Sequence, residues 1–166
     1  MYSLMRKSAV LLSILTLLTL ASASAASKSV PLILMDGGEF MPTNPPDPNS
    51  RLLVGKGIST HMGKIVSGGE FRRVADRASG GFKGEIEGTA TIEGTGHELR
   101  YFLSAEFRPD PASPNPASPL FKGVGTYRIT GGMGRFERAK GFGIFIGLAD
   151  FNSSTYQCFL SGTISY

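Results

Sequence analysis

Residues 125–141, GTYRITGGMGRFERAKG, combine an alternating strand with a glycine-rich turn. The strand ends at Thr130, and three glycines follow within four positions, the residue type that tolerates positive φ in a tight connection. Phe136 and Ala139 then return apolar side chains to the core before the next strand starts. The run therefore predicts two antiparallel strands joined by a compact turn that depends on glycine.

The same alternation with a period of two continues on both sides of this run. In residues 141–148, four apolar side chains at even positions share one face, and Phe145 lies on the opposite face between two glycines. This glycine pattern suits strong curvature or the close approach of another chain. The predicted strands cover residues 28–35, 51–59, 61–66, 71–74, 84–92, 98–107, 121–130, 141–151 and 156–165.

No window after residue 26 keeps a helical period for three turns, because glycine or proline interrupts each one. Short strands separated by glycines predict an all-β fold, an antiparallel sandwich or barrel. Residues 36–50 contain four prolines and are predicted to be a loop or linker. Eight predicted strands follow this linker, which is about the number that a small closed barrel requires.

The first 26 residues are typical of a cleavable signal peptide. Arg6 and Lys7 precede an uncharged apolar stretch at residues 9–20, and small residues follow with Ala23-Ser24-Ala25 as the predicted cleavage motif. The apolar stretch is too short for a comfortable transmembrane span, so no transmembrane anchor is predicted, although an uncleaved N-terminal anchor is the alternative. The predicted organisation is a signal peptide at 1–25, a first strand and Pro-rich linker at 26–50, and a barrel domain at 51–166, in a secreted or periplasmic protein.

The charge of the chain argues against nucleic acid as a partner. Two of its basic residues lie in the predicted signal peptide, so the formal net charge of +4 falls by two after cleavage. No cluster of Lys and Arg is present that could follow a phosphate backbone.

Cys158 is the single cysteine, so the domain cannot form an internal disulfide. It alternates with Tyr156 and Leu160 on an apolar face of the last predicted strand. A buried, unreactive thiol is therefore predicted, with a reactive thiol as the alternative.

Residues 109–119, PDPASPNPASP, hold five of the ten prolines and are predicted to form an exposed, rather stiff loop between two strands. A tolerated surface insertion is one interpretation of this loop. The other is a lid over a barrel mouth, since long loops in compact domains are often functional.

The common motifs of catalysis and cofactor binding are missing from the sequence. Two histidines, His61 and His97, cannot form an ordinary multi-histidine metal site, and no Gly-x-Ser-x-Gly elbow or phosphate-binding loop occurs. Asn152-Ser153-Ser154 matches a glycosylation acceptor, but these residues are also expected in a turn. No metal and no cofactor are predicted.

Residues 131–141 follow the form Gly-Gly-x-Gly-x-Phe-x-x-Ala-x-Gly, which resembles the strand-turn-strand signature of the dirigent and allene oxide cyclase superfamily of calycin-like barrels. Residues 55–63, GKGISTHMG, resemble an entry hairpin of secreted bacterial members of this barrel class. The resemblance implies an eight-stranded antiparallel barrel, often a homo-oligomer, with an apolar cavity open at one end. The matching residues are turn and core residues, and the disulfide common in plant dirigent proteins is impossible with one cysteine.

Three functions remain open, since a fold does not determine a function. The first is binding of a small apolar or amphipathic molecule without covalent chemistry, because a small barrel can enclose one ligand. The second, implied by the resemblance, is a cofactor-free isomerase or cyclase that confines a flexible substrate. The third is a structural or interaction role in the cell envelope. The polar residues predicted at core-facing or mouth positions, each with a surface or rim position as its alternative, are His61, Arg100, Glu106, Tyr127, Asp150 and Tyr156.

Overall fold

The computed structural model describes residues 28–113 and 119–166. The predicted signal peptide and the middle of the Pro-rich segment 109–119 lie outside these described residues. The described residues form eight strands and one short 3-10 turn, Gly134–Phe136. The strands are β1 (Val30–Pro42), β2 (Ser50–Ser59), β3 (Gly63–Asp76), β4 (Phe82–Ile92), β5 (Glu98–Pro109), β6 (Phe121–Met133), β7 (Lys140–Asp150) and β8 (Thr155–Ser165).

The eight strands form a closed antiparallel barrel, which confirms the predicted fold class. Each strand pairs with the next one along the chain, and β1 pairs with β8 to close the sheet, with Val30 opposite Ile164 and Leu34 opposite Leu160. Closure leaves no sheet edge exposed. No helix in the described part of the chain is long and apolar enough to cross a membrane.

Two predicted strand boundaries are wrong. The first strand does not end at Met35: β1 continues to Pro42, so the glycines at 37 and 38 lie inside the sheet and only residues 43–49 connect β1 to β2. The predicted strands 61–66 and 71–74 are one strand, β3, which runs through Gly68 and Gly69. The barrel therefore has eight strands because β1 is part of it and because two of the predicted strands are the single strand β3.

The predicted turn between β6 and β7 is present, but β6 continues to Met133 instead of ending at Thr130, so Gly131 and Gly132 lie in the strand and the turn is Gly134–Phe136. Gly131 and Gly134 have φ of 127° and 63°, in the region that L side chains rarely adopt. Phe136 and Ala139 are fully buried and cover one end of the barrel together with Met62. We call this end the floor. The opposite end, at residues 43–49, 77–81, 110–113, 119–120 and 151–154 between the strands, is the mouth end.

Inward-facing glycines make room for inward-facing aromatic rings, which explains why this barrel needs so much glycine. A Cβ atom on Gly88 would lie 2.4 Å from the Tyr101 ring, and one on Gly143 would lie 2.7 Å from the Tyr127 ring. A Cβ on Gly55 would lie 2.5 Å from the Tyr156 hydroxyl. The interior is thus filled by large rings packed over bare backbone rather than by side chains of uniform size.

The exterior of the barrel is divided into a charged part and an apolar part. One row of apolar side chains runs across five neighbouring strands in register: Ile58, Met35, Phe159, Ile146 and Val124. At a strand spacing of about 4.8 Å this row is roughly 19 Å wide. Phe142 and Ile144 extend it along β7, and we call the whole surface the apolar belt. The charged side is formed by β4 and β5, with Lys83, Glu85, Glu87, Glu98, Arg100 and Glu106.

Candidate functional site

A buried carboxyl group lies in the otherwise apolar interior. Asp36 continues the inward face of Leu32 and Leu34 on β1 and lies opposite Cys158 of β8. The Cys158 thiol donates a hydrogen bond to Asp36 Oδ1. Asp36 is 8% exposed. Burial of a carboxyl group is costly unless hydrogen bonds or neutralisation compensate it, so its neighbours decide its state.

Ser67 of β3 and Tyr156 of β8 complete the group around Asp36, because both line the same cavity and both act as hydrogen-bonding neighbours that lower the pKa of its carboxyl group. The Ser67 hydroxyl also lies 3.4 Å from the Tyr156 hydroxyl. We call Asp36, Ser67, Tyr156 and Cys158 the Asp36 cluster. It joins strands β1, β3 and β8, so only the closed barrel brings these residues together.

Burial raises the pKa of the Asp36 carboxyl above its ordinary 3.8, against the opposing effect of the hydrogen bonds from Cys158, Ser67 and Tyr156. Burial also raises the pKa of the Tyr156 phenol and of the Cys158 thiol, and the nearby Asp36 charge adds to both shifts. All three shifts favour protonated groups. The cluster can therefore donate hydrogen bonds or a proton in an environment where water is scarce.

The Asp36 cluster borders a small internal cavity of about 30 Å³. Tyr101 of β5 also lines this cavity, and its pKa is raised well above the ordinary value by burial and then by the Asp36 charge. A volume of this size holds one or two water molecules at most. The interior beside the Asp36 cluster is therefore nearly filled.

Aromatic side chains close the mouth end of the barrel above the Asp36 cluster. Phe40 stacks on Phe151 with ring centroids 5.2 Å apart and lies 5.5 Å from the Tyr156 ring. A second cavity of about 260 Å³ opens at this end, and Phe71 lines both it and the inner cavity. We define the aromatic mouth by its six rings, which are Phe40, Phe71, Phe82, Phe107, Phe121 and Phe151.

Of the six residues predicted at the site, two face the interior. Tyr156 belongs to the Asp36 cluster. Tyr127 is buried nearer the floor, and its hydroxyl has no hydrogen-bond partner among the described residues. Burial raises the pKa of this phenol as well.

The other four predicted residues lie outside the Asp36 cluster. His61 is in the β2–β3 turn at the floor, with Nε2 2.7 Å from the Pro31 carbonyl. Arg100 and Glu106 are on the outer face of β5, where Arg100 pairs with Glu98 and Glu106 pairs with Arg77. Asp150 accepts hydrogen bonds from the backbone of the β7–β8 turn. Its pKa is lowered first by the Ser153 side chain and then by the backbone N–H groups of Asn152 and Ser153. These four side chains therefore lie at the surface or the rim, the position that the sequence predicts as the alternative for each.

Three members of the Asp36 cluster were not among the predicted site residues: Asp36, Ser67 and Cys158. Cys158 faces the interior, as the alternation of β8 predicts. Asp36 falls in the segment 36–50, whose four prolines predict a loop or linker. The signal that could have found it is the period-two pattern Leu32, Leu34, Asp36, which continues without a break.

No group of three His, Cys, Asp or Glu side chains in residues 28–113 and 119–166 is arranged to hold a metal ion. A scan of protein-family models and searches of curated proteins and solved structures found no match to this chain. The resemblance to dirigent and allene oxide cyclase proteins therefore stays a prediction.

Proposed function

We propose that the barrel binds a small amphipathic molecule without changing it covalently. The apolar body of the ligand lies among the rings of the aromatic mouth, and its polar end reaches the Asp36 cluster. The observation that carries this proposal is a buried, hydrogen-bonding carboxyl group beside a cavity, directly below a mouth lined by aromatic rings. Ligand sites commonly combine an apolar wall with a few convergent polar groups.

The polar end of the ligand is necessary on energetic grounds. A ring-sized body of about 150 Å² gains about 4 kcal/mol from burial at 25 cal/mol per Å². Association costs at least about 4 kcal/mol in lost translational and rotational freedom. Hydrogen bonds to Asp36, Ser67 or Tyr156 supply the remaining affinity, since bonds involving charged or polar groups away from water contribute about 1 to 3 kcal/mol each.

The test is mass spectrometry of the small molecules released when the purified protein is denatured. We expect a discrete amphipathic molecule from the wild-type protein and from the exterior control Phe142→Ser. Asp36→Leu, which keeps the volume of the side chain but removes the hydrogen-bonding groups, should release much less of it. Equal recovery from Asp36→Leu, or no molecule from any folded variant and no binding of N-phenyl-1-naphthylamine, contradicts the proposal.

A second candidate function is a cofactor-free isomerase or cyclase, as the family resemblance implies. The observation that favours it is a carboxyl group with a raised pKa within hydrogen-bonding reach of a phenol, an arrangement suited to general acid catalysis. If the released molecule is converted to an isomer by the protein, Asp36→Asn or Tyr156→Phe should slow the conversion about a hundredfold, equivalent to about 2.7 kcal/mol. Binding without turnover argues against this second function.

We further propose that the domain acts after export to the periplasm or the exterior of the cell. The order of charged, apolar and small residues in 1–26 supports this location. N-terminal sequencing of the exported protein should begin within a few residues of Ala26. A mature protein that still begins at Met1 contradicts export by cleavage.

A further inference from the structure

Arg51 lies at the mouth of the barrel and belongs to its inward face. It precedes Leu53 by two residues on β2, and it lines the 260 Å³ cavity together with Phe71, Phe121 and Phe151. An arginine among phenyl rings at a cavity wall needs an explanation, because a guanidinium group keeps its charge under all ordinary conditions.

Within the part of the chain that the structure describes, the guanidinium group of Arg51 is held in place by backbone carbonyls alone. Its Nη1 donates to the carbonyl oxygens of Ser50 at 2.7 Å, Asp47 at 2.9 Å and Pro48 at 3.4 Å. Its Nε and Nη2 have no hydrogen-bond partner within residues 28–113 and 119–166. Three carbonyls thus fix the orientation of the group while donors on its other side stay available.

No carboxylate among the described residues forms an ion pair with Arg51. The nearest acid in sequence, Asp47, accepts hydrogen bonds from the backbone of Asn49 at 2.8 Å and from the Ser50 hydroxyl at 3.2 Å. Arg73, the other arginine of this cavity, differs from Arg51 because it pairs with Asp76 at 2.6 Å and lies 4.9 Å above the Phe82 ring. The positive charge of Arg51 is therefore oriented and has no ion-pair partner among the described residues.

We infer that the aromatic mouth recognises an aromatic acid. The acidic group binds the free side of the Arg51 guanidinium, and the ring lies against Phe71, Phe121 and Phe151. A planar guanidinium with two adjacent donors matches a carboxylate or sulfonate group, and ring stacking supplies the apolar contact. This inference rests on the proposed function and adds the chemical class of the ligand.

Two fluorescent probes that differ by one sulfonate group test the inference. They are 8-anilino-1-naphthalenesulfonate, which is an anion, and N-phenyl-1-naphthylamine, which has the same ring skeleton without the charge. In titrations of the purified protein, Arg51→Gln should lower the affinity for the anionic probe about tenfold or more and the affinity for the neutral probe less than about twofold. Arg128→Gln, the same change of charge on the outer face of β6, should leave both affinities unchanged.

The wild-type protein gives a second measurement that does not depend on the folding of a variant. Affinity for the anionic probe should fall as ionic strength rises from about 0.02 M to about 0.5 M, and affinity for the neutral probe should not. Ile146→Ser controls for binding in the open groove of about 500 Å³ on the apolar belt, which Ile146 lines, and should change neither affinity.

The variant Phe151→Ser separates failure of this inference from failure of the proposed function. Suppose that Phe151→Ser lowers the affinity for both probes, whereas Arg51→Gln changes the two affinities equally or not at all. The mouth then binds ligands but does not recognise the acidic group. If folded Phe151→Ser leaves both affinities unchanged, the mouth is not the binding site and the proposed function fails with the inference.

Discussion

Asp36 continues a strand face that begins with Leu32 and Leu34, and a leucine there would extend the core without a desolvation cost. The desolvation cost of a carboxyl group at this position is reduced by three hydrogen-bonding neighbours and by the raised pKa, which favours the neutral form. This balance makes the residue sensitive to pH. A folded-state pKa above the unfolded value means that the folded protein holds the proton more tightly than the unfolded chain does.

Asp36→Asn should remove a pH dependence from the stability of the protein. Because the folded pKa of Asp36 is raised, its favourable contribution is complete below the ordinary value of 3.8 and is lost as pH rises through the folded pKa. The variant should therefore gain stability relative to wild type as pH rises above about 4, by no more than about 1.4 kcal/mol per pH unit. Urea unfolding at a series of pH values measures the difference.

Asp150→Asn is the control of opposite sign. Hydrogen bonds from Ser153 and Asn152 lower the pKa of Asp150, so its contribution is present at neutral pH and is lost as pH falls through the folded pKa. The variant should lose stability relative to wild type at neutral pH but not in acid. The same slope for both variants would show that Asp36 is not held in a desolvating environment.

The Cys158 thiol should react slowly in the native protein. Burial first, and then the Asp36 charge, raise its pKa, and the thiolate is the reactive form. We expect labelling by 5,5′-dithiobis(2-nitrobenzoate) at pH 8 to be at least about a hundredfold slower than in guanidinium chloride. Equal rates in the two conditions would place the thiol outside the interior.

At the scale of the strand, two further kinds of glycine are present in this sheet besides those that lie against aromatic rings. At some positions a Cβ atom would overlap a neighbouring backbone, and at others it would meet only ordinary contacts. Gly125 of β6 belongs to the first kind, since its Cβ would lie 2.1 Å from the Ser104 carbonyl oxygen. Gly68 of β3 belongs to the second, with its nearest neighbour at 3.6 Å.

The substitutions Gly125→Ala and Gly68→Ala should therefore differ in their effect on the free energy of unfolding, although the chemical change is the same. Gly125→Ala forces β5 and β6 apart and should lower the free energy of unfolding by about 2 kcal/mol or more. Gly68→Ala should leave it within about 0.5 kcal/mol or raise it slightly, because alanine restricts the unfolded chain. Urea denaturation measures both, and equal effects would contradict the strand spacing described above.

At the same scale, the alternation of apolar residues predicted the inward face of β8 correctly, but in β7 it predicted only which side chains share a face and not which face is inside. In β7 the four apolar residues of one face point outward and Phe145, between glycines, points inward. The sequence does not predict the Asp36 cluster because the prolines of residues 36–50 predict a loop that begins at Asp36, whereas β1 continues to Pro42. Two of its members, Asp36 and Ser67, also come from different strands. They come together only in the folded barrel, and residue spacing along one strand cannot predict such a contact between strands.

At the scale of the whole molecule, the core and the apolar belt make different contributions to stability. Phe145 is 2% exposed and Phe142, three residues earlier on the same strand, is 72% exposed. Phe145→Ala should cost about 3 to 5 kcal/mol because it leaves a cavity in the core. Phe142→Ala should change the free energy of unfolding by no more than about 0.5 kcal/mol. Similar costs for the two variants would show that another surface covers the belt.

The pairing of β1 with β8 sets the order in which the domain can be completed during synthesis. Seven of the eight strand pairs are hairpins between consecutive strands and can form while the chain is still growing, but the eighth needs the last strand. Until then both β1 and the newest strand have free edges that can pair with other chains. A chain that stops at Asp150 should therefore be recovered in the insoluble fraction after centrifugation, whereas the chain that includes β8 should stay in the supernatant. Translation that ends before β8 thus yields an open sheet that aggregates through its free edges. The final eleven-residue strand closes the sheet and removes both edges.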